Sequence, residues 1–537
     1  MQDAASAPTA TEEPRPGKRI VIFADGTGNA YSVQESNIWR LYNALDKRLN
    51  PDGLQQIARY IPGVGTSSNR VVRALDGATG FGVPSNVRKL YRFLCWNWRK
   101  GDQIYLFGFS RGAFTVRALA GMIAMQGLMP REIDTQPVGN AEMTRNAAGA
   151  WRAYRTETAP LVLPGRSVWN PRHWQMNPLI SLVRLARDGI IWAKRSLLRQ
   201  MQHAAVQDAQ TPDIAPKAVK VHFMGVYDTV EAYGIPIKLL ANVVNRVLWP
   251  FQFRNKRCSP IVQSVRHALA LDDERLTFHP IRFDQRLRDD GSTGPETKEI
   301  WFAGMHSDVG GGYPDNAVAL DPLIWMADEA RAAGLAFEPR LIDRYRDGCY
   351  PQALIHDSRA GLASFYRYTP RATDHPEADG QRPVLHGSAE AKMRHGANGY
   401  TPLILPEAFD MMDATGAVTP VAMTRDPQAH RDIRRIVRQR KVTNLITVAL
   451  MTALGVQLYR SLFQACVAAG GDWAGWCWLR APFGLVVEIG WSWTDFFRDF
   501  RGSILILSGG ALIVHMVNQT LADRIKDLSR KLWVKHG

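Results

Sequence analysis

Gln103-Ile-Tyr-Leu-Phe107, Gly108-Phe109-Ser110-Arg111-Gly112 and the helix-like run Ala113–Met125 follow one another without a gap. The first piece is a short apolar burst of the kind that forms a buried strand. The middle piece has a glycine two positions either side of a serine. That spacing lets a strand turn sharply into a helix without steric clash and leaves the serine hydroxyl exposed at the sheet edge. A serine is a poor nucleophile until a histidine takes its proton and a carboxylate fixes the tautomer of that histidine. Ser110 is therefore the candidate nucleophile, with Gly108 and Gly112 forming the elbow. The plainer alternative is a glycine-lined turn with an exposed serine.

The neighbouring segments extend the pattern. Arg19-Ile-Val-Ile-Phe-Ala24 reads as a buried strand that stops at Asp25-Gly-Thr-Gly-Asn29. Helices are expected over Asn37–Leu49 and Val87–Trp98, and later strands over Val219–Tyr227 and Glu299–Met305. Strands alternating with helices predict an α/β fold, a mostly parallel sheet of α/β-hydrolase type with helices on both faces. In that arrangement the partners follow the serine in the order acid, then histidine, each just past a strand. Asp228 and His306 stand at those places. An oxyanion hole needs the backbone N–H after the nucleophile, here Arg111, and a second donor from a loop after an early strand, for which Gly26 and Thr27 are placed. Asp25 and Asn29 read as ties within that loop. A phosphate-binding glycine turn is the alternative for this stretch, weakened because no Walker lysine follows.

Other titratable residues compete for roles. His386 in Leu385-His-Gly-Ser388 is a rival general base, while His267 reads as a packed structural residue. Asp308 has no second cluster at ligand spacing, so neither a metal nor another cofactor is expected.

Several stretches together resemble the type VI secretion phospholipase-effector-like α/β-hydrolase domain. They are Phe23–Asn29, Tyr60-Ile-Pro-Gly-Val-Gly-Thr66, Gly108–Ala113, Gly225-Val-Tyr-Asp-Thr-Val230, Arg266-His-Ala-Leu-Ala-Leu271 and Trp301-Phe-Ala-Gly-Met-His-Ser-Asp-Val-Gly-Gly-Gly-Tyr313. The resemblance spans roughly residues 18–410. It implies a Ser110–Asp228–His306 triad acting without a metal on phospholipid or similar acyl esters. Residues of about 130–215 lie outside the matching pieces and read as an insertion or lid, with a basic apolar segment at Leu179–Leu198 and a second at Ile237–Arg257.

The composition suits a globular chain with more than one core: 537 residues, 46% apolar and 22% charged. A net charge of +16 suits either nucleic acid or an anionic membrane. Zinc-finger spacing, a Walker loop and an RNA-binding aromatic signature are all missing, so no nucleic-acid partner is expected. Sixteen tryptophans, eight of them at or beyond position 301, favour a lipid–water interface. Five scattered cysteines form no C-x-x-C pair, which argues against a disulfide scaffold and for a reducing compartment.

The chain divides into a disordered lead-in (1–18) without a secretion signal, a catalytic domain (19–410), a basic linker helix (411–441), an apolar hairpin (442–522) and a basic tail (523–537). Val442–Tyr459 and Gly502–Ala522 are free of charge. They read as a transmembrane hairpin joined by a Trp-rich loop, with buried core helices as the alternative. Arginines and lysines at both outer ends put those ends, and the catalytic domain, on the cytoplasmic side of a bacterial inner membrane. Cys466 and Cys477 fall in the outer loop and are candidates to pair there. The expectation is a membrane-associated serine ester hydrolase acting on lipids. An exported antibacterial effector with immunity or secretion partners, and a catalytically silent membrane-bound scaffold, remain as alternatives.

Overall fold

β1 (Arg19–Ala24) is buried at every position, and its side chains part to the two faces of a sheet as a strand's period of two requires. Ile20, Ile22 and Ala24 enter one apolar cluster, and Val21 and Phe23 enter the other. β3 (Gln103–Phe109) does the same, sending Ile104 and Leu106 to the first face and Tyr105, Phe107 and Phe109 to the second. A strand covered on both sides is the mark of a central parallel sheet.

The computed structural model describes residues 17–26, 35–48, 53–63, 82–133, 136–158, 186, 189–190, 193, 219–231, 258–284, 295–359, 366–373, 382–395, 400–402, 408–422, 427–468 and 501–534. Its main sheet also contains β2 (Gln56–Ile61), β6 (Val221–Tyr227), β7 (Val262–Ala270), β8 (Glu296–Phe302), β9 (Val384–His386), β10 (Ala408–Met412) and β11 (Val418–Ala422). The order is β11-β10-β9-β8-β7-β6-β3-β1-β2, and every pair is parallel except β10 with β11. The chain runs outward from β1 to β2 and then returns to β3 on the other side of β1. The carboxyl ends of β1 and β3 therefore flank the point where strand order reverses, the usual place for a site in such sheets.

Helices cover both faces. α2 (Gly82–Asn97), α3 (Arg111–Gln126) and α4 (Asn140–Thr158) pack on the first face. On the second lie α1 (Asn37–Ala44), α6 (Leu320–Ala332) and α7 (Pro339–Asp347). The short α5 (His306–Gly310) follows β8, and α8 (Gly387–His395) follows β9. Of the stretch read as an insertion or lid, the part from 130 to 158 holds a small ribbon, β4 (Glu132–Ile133) with β5 (Gln136–Pro137), and α4. Met143, Ala147, Ala150 and Trp151 of α4 are buried in the first cluster, so this part is core. Apart from four positions, residues 159–215 lie outside the described residues, as does the whole of Ile237–Arg257.

The C-terminal part departs from the expected transmembrane hairpin. Residues 411–422 are strand and turn, and helix begins at α9 (Pro427–Ala468), which packs along α10 (Arg501–Val534). Among the described residues no helix is long and apolar enough to cross a membrane. The physical reason lies at the base of the hairpin. Arg440 and Asn444 are buried against the catalytic domain, so the apolar run begins on protein. The stretch read as a basic tail is the end of α10, and its Ile525 and Leu532 pack with Trp301, Leu385 and Phe409 in a third cluster at the β9–β10 end. The Trp-rich loop and Cys477 lie outside the described residues.

Ile525 is wholly buried, so Ile525→Ala should destabilise the chain by about 2–5 kcal/mol through lost burial and the cavity left behind. Chemical unfolding checks this, and a change within about 0.5 kcal/mol, as at an ordinary surface position, would mean that the end of α10 is not docked.

Candidate active site

Ser110 ends β3 and opens α3 with φ +57° and ψ −121°, a backbone conformation that L-residues seldom adopt. Such a turn tolerates no bulk beside it. A Cβ on Gly108 would lie 2.6 Å from Ala113 Cα, and one on Gly112 would lie 2.0 Å from the carbonyl oxygen of Ala24. The two glycines of the pattern therefore serve two contacts: the first lets the turn fold onto its own helix, and the second lets the helix pass against β1.

Asp228 follows β6 with φ +42°, its N–H donating to the Ala268 carbonyl at 2.8 Å. His306 follows β8 at the start of α5. These three residues, 196 and 78 positions apart along the chain, meet at the carboxyl edge of the sheet. The Ser110 hydroxyl donates to His306 Nε2 at 2.7 Å, and His306 Nδ1–H donates to Asp228 Oδ2 at 2.5 Å. All three are buried, and the imidazole touches the rings of Phe109 and Phe278, with centroids 4.8 and 5.1 Å away.

The electrostatics follow from that burial. Desolvation lowers the pKa of His306 below the ordinary histidine value, outweighing the pull of Asp228 and Asp273. Burial pushes the Asp228 carboxyl the other way, yet Arg371 and His306 hold it well below the usual carboxylate range. Asp228 Oδ1 also accepts the Ala270 N–H at 3.1 Å. The loop carrying His306 is pinned from several directions: Asp272 takes the Gly304 N–H at 2.7 Å, Asp273 takes the His306 N–H at 3.3 Å, and Asp308 takes the Met305 N–H at 3.0 Å. Asp308 also bonds His356 Nδ1 at 2.6 Å, and that ring stacks on Tyr313.

The expected oxyanion donors fare unequally. Arg111 is the first residue of α3, where backbone N–H groups and the helix dipole favour negative charge. The Gly26 N–H, however, donates to Asp25 Oδ1 at 2.6 Å, which corrects its assignment as a donor to substrate in this arrangement. The reason is that Asp25, itself buried, gathers donors for its charge: Ser36 Oγ at 2.6 Å and Tyr60 Oη at 2.8 Å complete the set. Thr27 and Asn29 lie outside the described residues.

His386 is engaged elsewhere. Its Nδ1 bonds Ser388 Oγ at 2.9 Å, its ring stacks on Phe302, and burial lowers its pKa to about 4. His267 is a packing residue with a defined tautomer. Its Nε2 accepts the Thr229 N–H at 3.2 Å, so Nδ1 carries the proton given to Glu299 at 2.9 Å. Among the described residues no group of three His, Cys, Asp or Glu side chains is arranged to hold a metal ion.

The residue that sequence reading missed is Arg371, whose guanidinium bonds both oxygens of Asp228. It stands in a polar stretch without periodicity, and no spacing rule ties it to a site. The acidic run Asp272-Asp273-Glu274 directly after β7 was a visible signal, since carboxylates at the carboxyl end of a buried strand demand partners.

A serine, carboxylate and histidine in this chain order, at the switch point of a parallel sheet, have the geometry of the α/β-hydrolase class. Residues 18–329 match the catalytic domain of the type VI secretion (T6SS) phospholipase effector Tle1-like family. That is more than half of the 537 residues, and the chain belongs to this family. The uncharacterized protein YEL023C of Saccharomyces cerevisiae is 28% identical over 281 residues, 50% of this chain and 33% of that protein. The chain thus spans about a third of the length of that relative. A crystal structure of an uncharacterized protein from Pseudomonas aeruginosa superposes with a TM-score of 0.35 and 15% identity, over 63% of this chain and 49% of that one. So low a score adds nothing to the argument.

Gly112→Ala should cost at least about 1–3 kcal/mol, because its Cβ meets backbone rather than a movable side chain. Thermal unfolding together with loss of fluorophosphonate labelling at Ser110 checks this; an alanine variant with wild-type stability and labelling would mean that the elbow is looser than drawn.

Proposed function

We propose that this chain is a serine ester hydrolase that acts on phospholipid or related acyl esters at a membrane surface. The reading is carried by the 2.7 Å hydrogen bond from Ser110 to His306, backed by Asp228. Membership of a phospholipase-effector family supports the lipid substrate.

In this reading Ser110 Oγ attacks the ester carbonyl carbon while His306 Nε2 takes the hydroxyl proton. Negative charge moves to the carbonyl oxygen, where the start of α3 at Arg111 favours it. Collapse expels the alcohol, which leaves with the proton from His306. Water then attacks the acyl-serine by the same route, giving free acid and restoring Ser110. Asp228 stays ionised throughout and stabilises the transient imidazolium.

The hairpin supports placement at a membrane. Leu445 is 70% and Ile513 63% exposed, with Leu512 and Met516 nearly as open. Arg431, Arg434 and Arg435 on α9 and Arg524, Lys526 and Arg530 on α10 lie towards the catalytic domain from these residues. An apolar patch on helices that carry cations on its catalytic-domain side suits an anionic lipid surface, with the apolar residues entering the headgroup region. Residence at a bacterial inner membrane with the catalytic domain on its cytoplasmic side belongs to this proposal. The family description favours one second reading, an exported effector paired with an immunity protein. Fractionation of the native host at low ionic strength separates the two, since a resident enzyme sediments with the inner membrane and an exported effector appears in the culture medium.

Ser110→Ala should reduce ester turnover by at least about 10⁴-fold while leaving the unfolding midpoint unchanged. Turnover that survives the substitution, or a wild-type chain that fails to label with fluorophosphonate, sinks the enzymatic reading and leaves a silent scaffold. The pH profile gives a second check. His306 must be neutral to take the proton, and its pKa is lowered by burial. Activity should therefore persist on the acid side of the ordinary histidine value of about 6.5 and fall only below it. A limb displaced to the alkaline side would contradict this.

A further inference from the structure

Asp228 has no exposed surface, and an isolated carboxylate in that position would take up a proton. Arg371 supplies the counter-charge in a fixed orientation, with Nη1 2.6 Å from Oδ1 and Nη2 2.7 Å from Oδ2. The guanidinium is oriented in turn by the carbonyls of Ala270 and Phe278, each at 2.5 Å. A two-pronged pairing sets the plane of the carboxylate as well as its charge. That plane aims the imidazole of His306 at Ser110.

Arg371 arrives on a short strap. The Leu276 N–H donates to the Arg367 carbonyl at 3.0 Å, and the Thr369 N–H donates to the Glu274 carbonyl at 2.8 Å. Between them, Tyr368 is held by α9: its N–H donates to Asn444 Oδ1 at 2.9 Å, and its hydroxyl accepts from Arg440 Nη1 at 2.9 Å. Arg440 also pairs with Glu274 at 2.8 Å. Tyr368, Asn444 and Arg440 are all buried, so these bonds are shielded from water and are worth more than surface contacts. Two residues along the chain, Thr369 and Pro370, separate the α9 contact at Tyr368 from Arg371 on Asp228.

We propose that Arg371 is the positioning residue of the Ser110–His306–Asp228 triad, and that α9, through Arg440 and Asn444, holds the strap that delivers it. The hairpin is then part of the catalytic frame and not only a contact for lipid. This inference rests on Ser110 being the nucleophile of a hydrolase.

Charge and geometry make separable demands. The imidazole of His306 is faced by Asp228 after β6 and by Asp273 and Arg275 after β7, while Arg371 is faced by Asp228, Asp273 and Asp272. Removing the guanidinium charge raises the proton affinity of the coupled Asp228–His306 pair as a unit. The pair then holds its inactivating proton to higher pH. A lysine keeps the charge but loses the two-pronged grip, so it disturbs alignment without moving the titration.

The experiment uses the full chain and a monomeric, water-soluble short-chain ester, so that membrane binding does not limit the rate. Fluorophosphonate titration counts the active serines. Arg371→Lys should lower kcat about tenfold or more, with KM and the acid limb unchanged; Arg371→Met should lower kcat by about 10²–10³-fold and move the acid limb to higher pH. Asn444→Ala should lower kcat several-fold on the same soluble ester, with KM unchanged. A variant that only unfolds would lose titratable serines and keep its kcat and pH profile per serine, which overturns the positioning role. Should Arg371→Met fail to fold at all, the lysine and Asn444 variants still decide. Wild-type kcat in both overturns the inference while leaving the hydrolase reading intact. A wild-type chain that neither labels nor turns over overturns both.

Discussion

A carboxylate held entirely out of water needs cations or donors on every side, and the arrangement around Asp228 follows from that demand. Three acids of the catalytic domain, Asp228 and Glu299 buried and Asp272 half-buried, show how the answer varies. Asp228 has Arg371, His306 and a backbone amide, and is held as an anion. Glu299, on β8 two strands over, is countered by Arg282, His267 and the Phe283 N–H, which hold its pKa down to about 2 despite burial. Asp272 receives the Tyr400 hydroxyl and one amide but no guanidinium, and burial pushes it up to about 7. Among these three, the two that face a guanidinium are the ones held as anions. Glu299 and His267 also fix the amide of Thr229, so the backbone just past Asp228 is braced from behind.

Strain gathers at the same edge. Ser110 and Asp228 are the two non-glycine residues with positive φ among those described, and they end neighbouring strands. The pairing of Phe109 with Tyr227 puts them side by side, and the Ser110 N–H closes the pair by donating to the Tyr227 carbonyl at 3.0 Å. Each such conformation costs on the order of 1–3 kcal/mol and survives only where surrounding packing over-determines it. Here that packing is the two-sided core, with Phe107 and Phe223 on one face and Leu106 and Met224 on the other.

The hairpin combines two surfaces that would conflict on a shorter element. Near the catalytic domain it is polar and buried, through Arg440, Asn444 and the packed Ile433 and Ile525. Farther along it is apolar and exposed. A charge-free run read along the sequence joins these regions without a break, because hydropathy does not record which residues of a helix already have protein against them. Asn444, inside the run, is bonded to the backbone of Tyr368 and so never has to meet lipid.

By itself, the sequence determined whatever depends on local pattern: the apolar strands, the glycine spacing that turns β3 into α3, and the positions of Ser110, Asp228 and His306 just past strand ends. Those features follow from periodicity and steric room, which neighbours along the chain decide. Tertiary structure decided what depends on a donor's destination. The Gly26 N–H went to Asp25, α4 joined the core, the end of α10 docked on the sheet, and Arg371 reached Asp228 from 143 positions away. A buried charge selects its partner by proximity in space, and no spacing along the chain encodes that choice.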